Sequence, residues 1–148
     1  MHYTAVPFGA SLRTLTQDGV SAHYLLPDPD EPSYRAAGYE ELRVFRLVDE
    51  DQRAWHAGVS QFDGRERCND FSIGIELEGT DNLPYTEQQY QSLITLTYFL
   101  MQQHPAITPD RIVGHCDIAP GRKTDPGIAF DWMRYRNKIK SAIKEFSK

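Results

Sequence analysis

Strand-like and helix-like segments alternate along this chain, which predicts an α/β fold: a single domain with a mixed, twisted central sheet flanked by helices. Two observations carry that prediction. Phe71 to Glu78 alternates without a break, with Phe71, Ile73, Ile75 and Leu77 on one face and Ser72, Gly74, Glu76 and Glu78 on the other. Two further stretches repeat apolar residues at helical spacing: Tyr90, Leu93, Ile94, Thr97 and Met101, then Trp132, Tyr135, Ile139, Ile143 and Phe146. At 148 residues the chain can bury a core without disulfide or metal staples.

Taken in order, Met1 to Ala5 reads as the tail of a strand. Phe8, Leu12 and Leu15 predict a helix over Pro7 to Gln17, ended by Gly19. Val20 to Leu26 is β-branched and aromatic, a strand stopped by Pro27-Asp28-Pro29-Asp30. Asp28 to Gly38 reads as loop, and Leu42 to Val48 as a half-buried strand. Asp49 to Asp70 shows little periodicity but collects arginine, tryptophan, histidine and asparagine. A loop that long in a compact domain is disordered or functional, and its aromatic content favours function. After the Phe71–Glu78 strand, Thr86 and Gln89 form a capping-box pattern that opens a helix ending near His104-Pro105. Thr108-Pro109-Asp110 is a turn or a single helical turn before a strand-like run from Arg111 to His115, and the last amphipathic stretch is the C-terminal helix.

The formal net charge is -5 and no Lys/Arg-rich run occurs, which argues against nucleic acid or an anionic membrane as partner. No apolar stretch is long enough to span a bilayer, and the N-terminus does not resemble a signal peptide. Cys68 and Cys116 read as two unpaired thiols of a reducing compartment. Cys116 is discounted as a metal ligand, because neighbours on a strand point to opposite faces.

Chemistry gathers on Val113 to Gly127, which holds His115, Lys123 and Asp125 on one segment. An imidazole, a carboxylate and a nearby ammonium suit a zinc hydrolase, although by spacing alone the pair also fits a structural contact or a solvated loop. His2 ends a strand remnant and can point off the same sheet edge as His115. His23, mid-strand, fits a hydrogen-bonded core or supporting role better than ligation. His104 is most simply a partner of a helix C-terminus. His56, beside Trp55, reads as a substrate contact or a surface residue. Glu76 is a mid-strand carboxylate: its face is either wet, or it lines a cleft and acts as a base.

Three stretches carry a resemblance: W-H-A-G-V-S (Trp55 to Ser60), G-R-E-R-C-N-D-F-S-I-G-I-E-L-E-G-T (Gly64 to Thr80) and the segment His115 to Gly127. Together they resemble the zinc N-acetylmuramoyl-L-alanine amidases. From Arg53 onward the chain is most similar to the recycling anhydro-muropeptide amidases, while H-Y-T-A and V-S-A-H-Y-L-L-P look more like periplasmic or lipid-anchored relatives. The resemblance implies one amidase domain over 1–148, with the fold of phage amidase-lysozymes and peptidoglycan-recognition proteins. It implies Zn²⁺ held by His2, His115 and Asp125, with Glu76 and Lys123 catalytic. It places Arg67, Trp55, Ala54 and Arg122 in substrate binding. The substrate is then a muropeptide or peptidoglycan, cut between the lactyl group of (anhydro-)N-acetylmuramic acid and L-alanine.

In the family the first histidine ends a full central strand; here it is residue two, so either Met1 is not the natural start, or the strand is a stub whose fraying end would weaken zinc binding. The expected compartment is the cytoplasm, or the periplasm if a signal or lipid anchor lies upstream, and the expected state is a monomer. The alternative function is a non-catalytic peptidoglycan-binding module of the same fold. A zinc peptidase is the weaker rival, because no H-E-x-x-H occurs.

Overall fold

The computed structural model describes residues 1–17 and 19–146, Phe146 by its backbone only, so the expected packing of the Phe146 side chain lies outside the described residues. In chain order the elements are β1 (His2–Tyr3), α1 (Phe8–Gln17), β2 (Tyr24–Leu26), α2 (Pro32–Ala36), β3 (Phe45–Arg46), β4 (Gln61–Phe62), β5 (Arg65–Glu66), β6 (Ile75–Leu77), α3 (Glu87–Gln103), α4 (His115–Ile118) and α5 (Trp132–Phe146). Four strands form a mixed sheet in the order β1-β6-β2-β3, in which β6 runs parallel to β1 and β2, and β3 is antiparallel to β2. The predicted α/β class holds.

Side chains alternate across a strand, so this sheet must be covered on both faces. Tyr24, Leu26, Ile75 and Leu77 point one way and pack against Tyr90, Leu93 and Leu100 of α3 and Tyr135 and Ile139 of α5. Leu25 points the other way, into Phe8, Leu15, Ala22 and Tyr34 under α1 and α2. Register pairs Leu25 with Glu76 and Glu76 with His2, and residues paired across strands share a face. The functional side chains therefore emerge on the α1/α2 side of the sheet, at its β1 edge.

β1 is short but held from both sides. Besides its pairing with β6, Met1 N donates to Val113 O (2.7 Å) and Met1 O accepts from His115 N (3.0 Å). Residues 113–115 thus run beside β1 like a further parallel strand. His2 is only 3% exposed.

Other elements differ from expectation for local reasons. The strand expected over Phe71–Glu78 is regular only at Ile75–Leu77, because Gly74 N donates to the His23 ring instead of to a strand, and Gly74 O accepts from both His23 N and Tyr24 N. The loop expected over Asp28–Gly38 contains α2, started by Glu31, whose carboxylate accepts from Tyr34 N (3.0 Å), with Pro32 in the first turn. Arg111–His115 is not a strand that ends in histidine. A 3₁₀ turn at Pro109–Arg111 leads to an extended stretch, and His115 begins α4, where the Asp117 carboxylate accepts from Gly114 N (2.7 Å).

The aperiodic Asp49–Asp70 segment holds the β4–β5 hairpin, turned by Asp63 and Gly64 at φ 51° and 78°. Asp-Gly is the two-residue signature of such a turn. The capping box at Thr86 and Gln89 forms as the sequence predicts.

Leu77 is fully buried at the centre of the sheet, whereas Leu83 is 63% exposed. Leu77→Ala should cost about 2–5 kcal/mol of folding stability. Leu83→Ala should stay within about 0.5 kcal/mol. Urea unfolding of both variants checks the contrast.

Candidate active site

Three acceptor atoms converge at the β1 edge. His2 Nδ1, His115 Nδ1 and Asp125 Oδ2 lie 2.9–3.0 Å from one another. All three residues are buried. His2 comes from β1, His115 from the first turn of α4, and Asp125 from the loop after it. That loop is pinned at several points: Asp125 O accepts from Cys116 N (3.0 Å), Pro126 O accepts from Tyr85 OH (2.7 Å), and Thr124 shares a network with Tyr3 and Asp81. Gly127, at φ 85°, lies so close to Asp81 that an added Cβ would meet its Cα at 2.5 Å.

The far side of the His115 ring fixes its tautomer. Nε2 lies 2.9 Å from Ala57 O, a carbonyl that can only accept, so Nε2 carries the proton and Nδ1 is bare. Burial lowers the His2 pKa to about 3, so its ring is neutral at ordinary pH. Two imidazole nitrogens and one carboxylate oxygen, pointing their lone pairs at one spot, need a cation between them. This donor set fits Zn²⁺ in a hydrolytic site, where three protein ligands leave a position for water.

Glu76 stands beside this cluster on the next strand. Its Oε2 is buried and has no hydrogen-bond partner among the described residues. Burial pushes its pKa up to about 8, reinforced by Asp125 and opposed by the N-terminal ammonium and Lys123. Glu76 is half-buried, and its unpartnered Oε2 faces away from water beside the three converging groups. Lys123 is exposed on the loop between α4 and Asp125, and its charge reaches Glu76.

The residues expected to bind substrate divide. Trp55 is 52% exposed, with the Arg53 guanidinium stacked 3.9 Å from its ring centre. Arg67 is exposed, and its Nε pairs with Asp70 Oδ2 at 3.2 Å, while Arg53 takes the other oxygen at 3.0 Å. Arg67 also adopts a left-handed φ of 63°. Ala54 is wholly buried. Arg122 holds protein rather than open space: its Nη2 donates to Ala57 O and Val59 O, both 2.7 Å, across Gly58.

Among the other histidines, His23 is a hydrogen-bonded core residue, accepting from Gly74 N and reaching Gln52 O at 3.0 Å. His104 caps α3, but its side chain pairs with Glu50 rather than with the helix end alone. His56 is half-buried rather than on the open surface; its ring lies behind His2, with Nδ1 3.0 Å from His2 Nε2. Asn69, one of the polar residues gathered in the Asp49–Asp70 segment, is buried. Its Oδ1 accepts from His56 N (3.1 Å) and Ala57 N (2.8 Å), fixing the backbone that supports both histidine ligands. Both cysteines are free, and Cys116 takes no part in the cluster, although it sits in a helix and not on a strand.

A cavity of about 620 Å³ opens behind His2, walled by Ile73, Ile75, Leu100 and Ile112. Neither Glu76 nor Lys123 lines it, so it is not the cleft in which these groups meet a substrate. No described helix is long and apolar enough to cross a membrane.

The N-acetylmuramoyl-L-alanine amidase family profile matches residues 1–128. The chain belongs to this family. It is 53% identical over 132 residues to the 1,6-anhydro-N-acetylmuramyl-L-alanine amidase AmpD of Escherichia coli, covering 89% of this chain and 63% of that protein. To the N-acetylmuramoyl-L-alanine amidase AmiD of the same organism it is 42% identical, covering 90% of this chain and 50% of the relative. Among solved structures, AmpDH3 of Pseudomonas aeruginosa in complex with anhydromuramic pentapeptide superposes with a TM-score of 0.88 at 45% identity. That match covers 93% of this chain and 57% of AmpDH3. This amidase-family chain thus spans between half and two thirds of the length of these relatives, and its mixed sheet with flanking helices is the family's fold.

The Glu76 carboxyl ionises near 4.5 when unfolded but holds its proton to about 8 when folded. Folding therefore takes up a proton between those values, and this group lowers stability as pH rises through that window. Glu76→Gln should stabilise the zinc-free protein, and by more at pH 8 than at pH 6. Urea unfolding at the two pH values tests this; an equal gain at both would mean that Glu76 is already ionised in the folded state.

Proposed function

We propose that this chain catalyses zinc-dependent hydrolysis of the amide bond between the lactyl group of N-acetylmuramic acid and L-alanine in peptidoglycan fragments. The anhydro form of the sugar is the favoured substrate, as the names of the AmpD relatives and the anhydromuramic peptide bound to AmpDH3 support. The observation that carries this reading is the Glu76 carboxylate, whose Oε2 is buried with no partner among the described residues, beside three converging atoms suited to a metal. A module that only bound peptidoglycan would gain nothing from so costly a group.

His2, His115 and Asp125 would hold the metal. Zinc bound there would supply Lewis-acid chemistry for the amide carbonyl and an attacking water, and its charge would favour the ionised form of Glu76. Glu76 takes a proton from the attacking water and returns it to the departing amine of L-alanine. A carboxyl that titrates near neutrality suits both tasks. The carbon–oxygen bond formed and the carbon–nitrogen bond broken leave a lactyl carboxylate and a free peptide. Lys123 faces the negative charge that develops on the carbonyl oxygen, a contribution of about 3–4 kcal/mol for one donor in comparable sites.

Arg67 keeps free N–H groups for a carboxylate of the peptide stem while Asp70 and Arg53 brace its loop. The domain extends past the matched residues 1–128, because Tyr135 and Ile139 of α5 complete the main core.

Release of free peptide from an anhydro-N-acetylmuramoyl-peptide is the assay. Stripping the metal with a chelator should abolish turnover, and zinc should restore it. Glu76→Ala and Lys123→Ala should each lose about a hundredfold or more while folding normally. Near-wild-type rates in either variant would remove that residue from the reaction. Arg67→Ala should raise KM far more than it lowers kcat. Amidating the stem carboxylate should abolish the difference between that variant and the wild type.

A further inference from the structure

His56 belongs to none of the roles assigned so far, yet its ring is built into the structure at both nitrogens. Nδ1 lies 3.0 Å from His2 Nε2, and Nε2 lies 3.3 Å from Ser72 Oγ. The Ser72 hydroxyl gives its proton to Cys68 O, a carbonyl that can only accept. Ser72 Oγ therefore meets His56 Nε2 as an acceptor, which places the His56 proton on Nε2 and leaves Nδ1 bare. A bare Nδ1 accepts in turn from His2 Nε2, so the His2 proton sits on Nε2 and its Nδ1 lone pair points at His115 and Asp125. The direction of every bond in this series follows from one backbone carbonyl.

The strand is also cut to admit the ring. A Cβ on Gly74 would lie 2.4 Å from His56 Cγ and 2.6 Å from its Cδ2, so no residue but glycine lets the imidazole cross β6's approach at this point. Asn69 fixes the His56 backbone from the other side.

We infer that His56 is a positioning residue for the metal: relayed through Ser72 and Cys68 O, it holds His2 in the one tautomer and orientation that can ligate. It does for His2 what the Ala57 carbonyl does for His115. Outer partners of this kind contribute about 10–100-fold in metal affinity. The inference rests on the zinc site proposed above.

The test measures zinc affinity, by competition with a chromophoric chelator, alongside urea unfolding of the zinc-free proteins. His56→Phe keeps a ring of similar shape but has no acceptor, and should bind zinc about 10–100-fold more weakly. His56→Asn sets its Oδ1 where Nδ1 was, and should keep most of the affinity. Gly74→Ala, which displaces the ring without touching it chemically, should behave like His56→Phe. Wild-type affinity in His56→Phe, or an equal loss in His56→Phe and His56→Asn, overturns the inference. Should His56→Phe not fold, Ser72→Ala leaves the ring and removes only its Nε2 acceptor; it should show a smaller loss, and unchanged affinity there overturns the relay. A wild-type protein that binds no zinc overturns this inference together with the proposed function, whereas zinc-binding wild type with an unaffected His56→Phe overturns this inference alone.

Discussion

The arrangement of this site depends on one register: β1 lies parallel to β6 with His2 opposite Glu76. Parallel pairing puts both side chains on the same face, with the proposed metal ligand on one strand and the proposed acid/base group on the next. A slip of one residue would send His2 into the α3/α5 core and Tyr3 toward Glu76. The register is fixed because Leu26 and Leu77 must bury their side chains on the α3/α5 side, and because residues 113–115 hold Met1 from the other edge. Hydrophobic packing on one face thus sets the catalytic geometry on the other.

Electrostatics follows from that placement. The same burial that keeps His2 neutral keeps the Glu76 carboxyl protonated in the absence of a cation. Both effects have one cause, the penalty for charge away from water, and both are relieved by a dication held at three ligands. Neither imidazole is left to choose its own tautomer. His115 is committed by the Ala57 carbonyl and His2 by His56, so protons point outward and lone pairs inward. Arg122 and Asn69 then stiffen the backbone from 56 to 59 that carries these outer partners.

Where sequence reading and structure part, short-range and long-range signals compete. The Asp63-Gly64 turn is marked by two residues, yet it lies in a stretch without the periodicity that would announce the strands on either side. Glu31 and Pro32 start α2 inside a segment whose proline and aspartate content reads as loop. The strand around Gly74 is shorter than its alternation suggests, because the Gly74 N–H serves the His23 ring. A glycine in mid-strand was itself a sign of close approach, and the group that approaches is His56.

The sequence alone determined the α/β class, the two amphipathic helices and, through its motifs, the family. Periodicity and composition are local quantities, so they survive without coordinates. The chain could also nominate His2, His115, Asp125, Glu76 and Lys123, but not how they meet. Only the tertiary structure decided that Ala54 is sealed in the interior, that Arg122 and Asn69 brace backbone, and that His56 stands behind His2. Those roles depend on contacts between residues 54 to 74, 115 to 125 and 2, which are distant along the chain. Burial and hydrogen-bond direction are properties of neighbours in space, and no spacing rule within one segment contains them.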